Sequence, residues 1–102
     1  MVLIYVSLSE DSQASKLAEQ LLMQRLANHI NIIRNNECMM YSAGKVQKSY
    51  QTILLIKTKA TLYKLIEERI QALNISPTPR IFSVPMTQLD ADYHSYLTND
   101  IL

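Results

Sequence analysis

The side chains able to hold a metal are few: His29, and the sulfur run Cys38-Met39-Met40. Neutral imidazole suits copper, nickel and zinc, while thiolate and thioether select softer ions such as Cu(I). Strand alternation would set Cys38 and Met40 on one face and Met39 on the other, so two sulfurs at most converge from one chain. His29 has no second ligand nearby in sequence. Each also reads as plain structure, His29 as a helix-to-strand junction residue and the sulfurs as strand packing. A second chemistry is anion binding. Lys45, Lys57 and Arg80 would gather around an anion in a cleft between subunits, or else serve as a turn lysine, a strand-end lysine and a surface arginine. No glycine-rich phosphate loop accompanies them. No nucleophile is spaced with a base, no C-x-x-C occurs, and His29 and His94 are the only histidines. The expectation is a protein that is not an enzyme.

Bulk properties narrow the partners. Ten basic against nine acidic residues give a net charge of +1. With no long run of one sign, the chain lacks the basic stripe of a nucleic-acid or anionic-membrane binder. Cys38 stands alone, which excludes an internal disulfide and suits a reducing compartment. Val2 opens a strand pattern where a leader would show a charged and then an apolar stretch, and no apolar run spans a bilayer. These features predict a soluble, cytoplasmic protein with neither nucleic-acid nor membrane partners. At 102 residues and 48% apolar, the chain is expected to form one domain over residues 1–102 with a modest core.

The elements that would position these residues follow from periodicity. Val2 to Ser7 is a strand. Ser9 is placed to cap a helix, with Glu10 and Asp11 in its first turn, and Ala14, Leu17, Ala18, Leu21 and Leu22 form one stripe as far as about Ala27. Arg25 would fall in its last turn. Ile30 to Lys59 reads as a long hairpin joined at Ala43-Gly44-Lys45. A second helix spans about Lys59 to Leu73, with Thr58 as cap and Leu62, Leu65, Ile66, Arg69, Ile70 and Leu73 recurring at three and four. After the connector Ile75-Ser76-Pro77-Thr78-Pro79, Arg80 to Pro85 is a short strand. Asp90 caps a last helix carrying Tyr93, Tyr96 and Leu97. Strand, helix, strand, strand, helix, strand and a terminal helix is the ferredoxin-like α+β order, with both main helices on one face of an antiparallel sheet. RNA-recognition modules share that order, and Tyr5 sits where their first strand carries an aromatic residue. Their third strand needs stacked aromatics, whereas Val46 to Ile56 carries Tyr50 alone.

The strands are apolar on both sides. Val2-Leu3-Ile4-Tyr5-Val6, Ile30 with Ile32-Ile33, and Ile53-Leu54-Leu55-Ile56 are unbroken or nearly so. Two helices cover one sheet face, so the other face must meet a further subunit or a ligand. A hairpin of about 40 Å at roughly 3.3 Å per residue also outreaches a domain of about 13 Å radius of gyration. Both features predict a symmetric oligomer.

Gln24-Arg25-Leu26-Ala27, Asn31-Ile32-Ile33, Gly44-Lys45, Leu54-Leu55-Ile56-Lys57-Thr58 and Ile81-Phe82-Ser83-Val84-Pro85, with Tyr93, Tyr96 and Leu97 near the end, carry a resemblance. In order and spacing, from Val2 to Leu97, the chain resembles the CutA family of divalent-cation tolerance proteins. The resemblance implies a ferredoxin-like fold, a homotrimer knitted by long hairpins, and a role in tolerance of copper and other divalent metals. It implies a divalent metal (copper, zinc or nickel) as the cofactor, if there is one. The departures fall where metal chemistry would be sought. The family's A-C-V-N is Asn28-His29-Ile30-Asn31, so His29 takes the place of a cysteine. Its H-P-Y-E is Asn74-Ile75-Ser76-Pro77, its tryptophan before G-K is Ser42, and its acidic stretch after G-K is Val46 to Gln51 without a carboxylate. His29 and then Cys38 are the metal candidates that remain. The alternative is a trimeric small-molecule sensor resembling the PII group, with Lys45, Lys57 and Arg80 as its anion contacts, or a scaffold without a ligand.

Overall fold

Alternation along the first strand decides where the core lies. The computed structural model describes Met1–Leu102, and in β1 (Val2–Leu8) the side chains of Val2, Ile4, Val6 and Leu8 are buried together on one face. The same face of β3 (Lys45–Thr58) contributes Leu54 and Ile56, set opposite Val6 and Ile4 in an antiparallel ladder. Over it lie α1 (Asp11–Met23), through Ala14, Leu17, Ala18 and Leu21, and α2 (Tyr63–Ala72), through Ile66 and Ile70. With β2 (Ile30–Ser42) and β4 (Arg80–Pro85) the sheet runs β2-β3-β1-β4, the ferredoxin-like order, and α3 (Ala91–Thr98) follows as the added C-terminal helix.

The opposite sheet face is covered only in part, with Ser7 and Ile53 buried there. Leu3, Tyr5 and Leu55 are half-buried there by their neighbours alone, and Ile33, Phe82 and Val84 remain 41%, 49% and 41% exposed. Tyr5 and Phe82, register partners, stack with ring centroids 4.7 Å apart. A contiguous apolar patch of this kind marks an association surface.

The hairpin projects as its length predicts. The molecule measures 46 × 29 × 21 Å, and its 14.6 Å radius of gyration exceeds the roughly 13 Å of a compact chain this long. Its turn holds Ala43 and Gly44 at φ 54° and 78°, the left-handed values a tight hairpin demands. Midway, β2 carries a bulge: Ile33 pairs with Ile53 and Asn36 with Gln51, leaving Arg34 and Asn35 opposite Thr52 alone. Asn35 supplies the left-handed residue, at φ 53°.

Several helix boundaries differ from expectation. Glu10, not Ser9, is the N-cap of α1, and it makes no side-chain capping bond. The helix ends at Met23 because Arg25 turns left-handed, at φ 61°. The Arg25 guanidinium therefore leaves the helix end and donates to the Asp100 carbonyl at 2.9 Å. Thr58 is the last residue of β3 rather than a cap, and its buried hydroxyl donates to the Leu26 carbonyl at 2.7 Å. A 3-10 turn over Ala60–Leu62 precedes α2, while Leu22 and Leu73, at the margins of their stripes, are exposed. Asp90 caps α3 as expected, accepting from the Tyr93 amide at 2.9 Å.

Candidate functional site

The hairpin register builds the one cluster that the candidate residues form. His29 and Asn31 are two positions apart at the start of β2, so both point to the open sheet face. Ile30 pairs with Ile56 and Asn31 with Leu55, which sets Lys57 across from His29 and diagonal to Asn31. The Lys57 ammonium lies 3.2 Å from His29 Nδ1 and donates also to Asn31 Oδ1. An ammonium has only donors, so His29 Nδ1 must be the acceptor and the neutral ring carries its proton on Nε2. The same bond turns the Asn31 amide outward through Nδ2.

The C-terminal segment walls this corner. Asn28 Nδ2 donates to the carbonyls of Tyr96 and Asn99, Leu102 N donates to the Arg25 carbonyl at 3.0 Å, and Lys59 Nζ reaches the Leu102 carbonyl at 2.9 Å. These bonds hold α3 over the turn between α1 and β2, with Leu97 fully buried beneath it. Tyr96 is thereby set edge-on to His29, ring centroids 6.1 Å apart, with Tyr93 stacked behind it at 6.3 Å. Burial holds the Lys57 ammonium below the usual lysine value, and no carboxylate lies in ion-pair reach of it.

The other candidates stand apart in the protomer. Cys38 and Met40 share the open face beyond the bulge, opposite Ser49 and Gln47, while Met39 points the other way. Nine strand positions, about 30 Å, separate Cys38 from His29. Lys45 is at the exposed hairpin tip, about 40 Å along the strand from Lys57. Arg80 is exposed opposite Ser7, whereas Lys57 faces Leu3, about 13 Å away along β1. One protomer therefore does not gather Lys45, Lys57 and Arg80 around a common point. Sequence reasoning missed Asn31 and the pairing of His29 with Lys57, since both depend on the bulge.

A second polar feature sits at the opposite end of the sheet. A surface cleft of about 300 Å³ is lined by Asp11, Arg34, Asn35, Tyr50 and Thr52 among others. Its charges are already satisfied: Arg34 meets the Asp11 carboxylate at 2.6 Å, and the Thr52 hydroxyl donates to it at 2.7 Å. Those hydrogen bonds, from Arg34 first and Thr52 second, hold Asp11 below the usual carboxylate range.

The profile of the CutA1 divalent ion tolerance proteins matches residues 2–100. The chain belongs to the CutA1 family. It is 28% identical over 98 residues to the chloroplastic protein CutA of Arabidopsis thaliana, covering 96% of this chain and 54% of that one. It is 24% identical over 100 residues to the divalent-cation tolerance protein CutA of Pyrococcus horikoshii, covering 98% and 97%. The chain thus spans about half of the plant relative and nearly all of the archaeal one. The solved CutA1 of Thermus thermophilus superposes with a TM-score of 0.85, at 24% identity and 99% coverage of both chains, a likeness of fold.

CutA1 membership raises the question of a divalent cation, and the residues of one protomer do not fit one. No three His, Cys, Asp or Glu side chains gather anywhere in the structure. The Nδ1 lone pair of His29 is engaged by a cation that would also repel a metal. No helix is long and apolar enough to cross a membrane. The compartment does not follow from the family, since the Arabidopsis relative is chloroplastic.

Proposed function

We propose that this CutA1-family chain acts in divalent-cation tolerance as a homotrimer without catalytic activity, in the cytoplasm. The open apolar face formed by Leu3, Tyr5, Leu55, Phe82 and Val84 carries this reading, because only a further protein surface relieves it. The projecting hairpin would reach a neighbouring copy. Copper, zinc or nickel would then be held by ligands from more than one copy. Of the two metal candidates, Cys38 is the better placed: it shares a face with Met40, and its sulfur is free. His29 would have to shed its bond to Lys57 first. Light scattering gives the assembly, with three protomer masses expected at micromolar concentration, and a single protomer mass refutes it. Calorimetric titration of Cu(II), Zn(II) and Ni(II) into wild type, Cys38→Ser and His29→Ala tests the ligands. Loss of heat in Cys38→Ser supports the assignment, and equal heats in all three chains dismiss both residues.

A second reading, a trimeric anion sensor of the PII type, is favoured by one observation. Lys57 is half-buried and has no carboxylate partner, which leaves a charge for a ligand to neutralise. Lys45 and Arg80 would join it only from other copies.

A further inference from the structure

We propose that His29, Asn31 and Lys57 form a binding site for a small organic monocarboxylate, held at the corner where β2 starts, β3 ends and α3 folds back. This rests on the anion-sensor reading and gives it a ligand class and a site within one protomer. Three features carry it: the arrangement of donors, the charge balance and the wall around them.

Lys57 orders its neighbours as donors. By donating to His29 Nδ1 and to Asn31 Oδ1 it uses the acceptor atom of each. What remains without a partner is His29 Nε2–H, the Asn31 Nδ2 amide hydrogens and one ammonium hydrogen. His29 keeps no lone pair for a cation, and Asn31 Oδ1 keeps one beside the ammonium, so the groups left over are mainly donors and favour an anion.

The charge balance selects the anion. One ammonium and two neutral donors match a single negative charge spread over two oxygens. A phosphate group would need further cations or a nest of backbone N–H groups; Lys59 is engaged with the Leu102 carbonyl, Arg80 is well away along the sheet, and no α-helix begins at this corner. The wall suits a carboxylate on an apolar body. Tyr96 stands edge-on to His29 with Tyr93 behind it, and Leu3 is the cross-strand neighbour of Lys57.

The experiment uses the full chain in its native assembly, with benzoate as the probe, followed by calorimetry and by the His29 side-chain nitrogen signals in NMR. Wild type is expected to bind benzoate with a shift of the protonated Nε2 signal. Lys57→Met and Asn31→Asp should each weaken binding by at least about tenfold, the size of one charge-assisted hydrogen bond. Asn31→Asp keeps the shape of the site and pairs Lys57 internally, so it stays informative if Lys57→Met folds poorly. No heat from benzoate in wild type, or equal heat in wild type and Asn31→Asp, overturns the proposal. A wild-type site already filled by a neighbour's carboxylate would also overturn it, and would show as loss of assembly in Lys57→Met. ATP is the contrasting probe. ATP binding that survives Asn31→Asp, without benzoate binding, keeps the sensor reading and refutes this site. Benzoate binding lost in Asn31→Asp, without ATP binding, supports this site and removes the nucleotide-type sensor.

Discussion

Lys57 Nζ stands 3.2 Å from His29 Nδ1, so a residue suited to anions and a residue suited to metals occupy one corner and constrain each other. The lysine fixes the histidine's tautomer, and the histidine with Asn31 holds the ammonium half out of water. Any metal at His29 competes with that arrangement.

Lys57 should leave a signature in the alkaline range. Its folded-state value lies below its unfolded one, so the unfolded chain binds more protons between the two. Stability therefore rises with pH across that window, up to the ordinary lysine range of about 10.4, and the penalty is fully present below it. In Lys57→Met this rise should shrink, measured as urea midpoints at several alkaline pH values. Parallel profiles in the two chains would contradict it.

Asp11 should act in the same direction, but in the acid range. Its folded-state value is depressed by Arg34 and Thr52, so its contribution is present above the ordinary carboxylate range and fades as pH falls through the depressed value. Arg34→Gln should flatten the loss of stability between about pH 5 and about pH 3, read from thermal melts. Because Arg34 lies in the bulge, hydrogen exchange in the outer hairpin should quicken in the same variant.

Neighbouring leucines of β3 should fail differently. Leu55 lies on the open face and Leu54 in the helix-covered core. Leu55→Asp should give a folded protomer that no longer assembles, seen as native-like circular dichroism with a single protomer mass. Leu54→Asp buries an unpaired charge beside Val6 and should unfold the chain, a loss of several kcal/mol.

The Thr58 hydroxyl ties the end of β3 to the turn after α1 by donating to the Leu26 carbonyl in a fully buried position. Thr58→Val keeps the shape and leaves that carbonyl without this donor. A loss of about 1–3 kcal/mol is expected in urea denaturation. No measurable change would mean that another group satisfies Leu26.

Local pattern carried most of the architecture. The stripes Ala14, Leu17, Ala18, Leu21 and Ile66, Ile70 could be read as helices because burial at a period of 3.6 leaves no other interpretation. The unbroken run Ile53 to Ile56 announced apolar surface on both faces for the same kind of reason. Boundaries were less legible. Arg25 stops α1 through a left-handed backbone that bonds to Asp100, and Thr58 spends its hydroxyl on Leu26 rather than on a helix, both through contacts distant in sequence.

Residue order alone thus determined the ferredoxin-like element sequence, the surplus of apolar strand surface, and the short roster of chemically able side chains. Which of those side chains meet was decided in three dimensions. Counted back from the turn at Gly44 without interruption, Lys57 would face Ile30; the extra residue at Arg34-Asn35 advances β2 by one and brings His29 there instead. Strand side chains alternate every residue, so that single insertion chooses between a lysine over isoleucine and a lysine bonded to imidazole. No pattern in the local sequence signals it, because the bulge is stabilised by Asp11 and Thr52 from elsewhere in the chain.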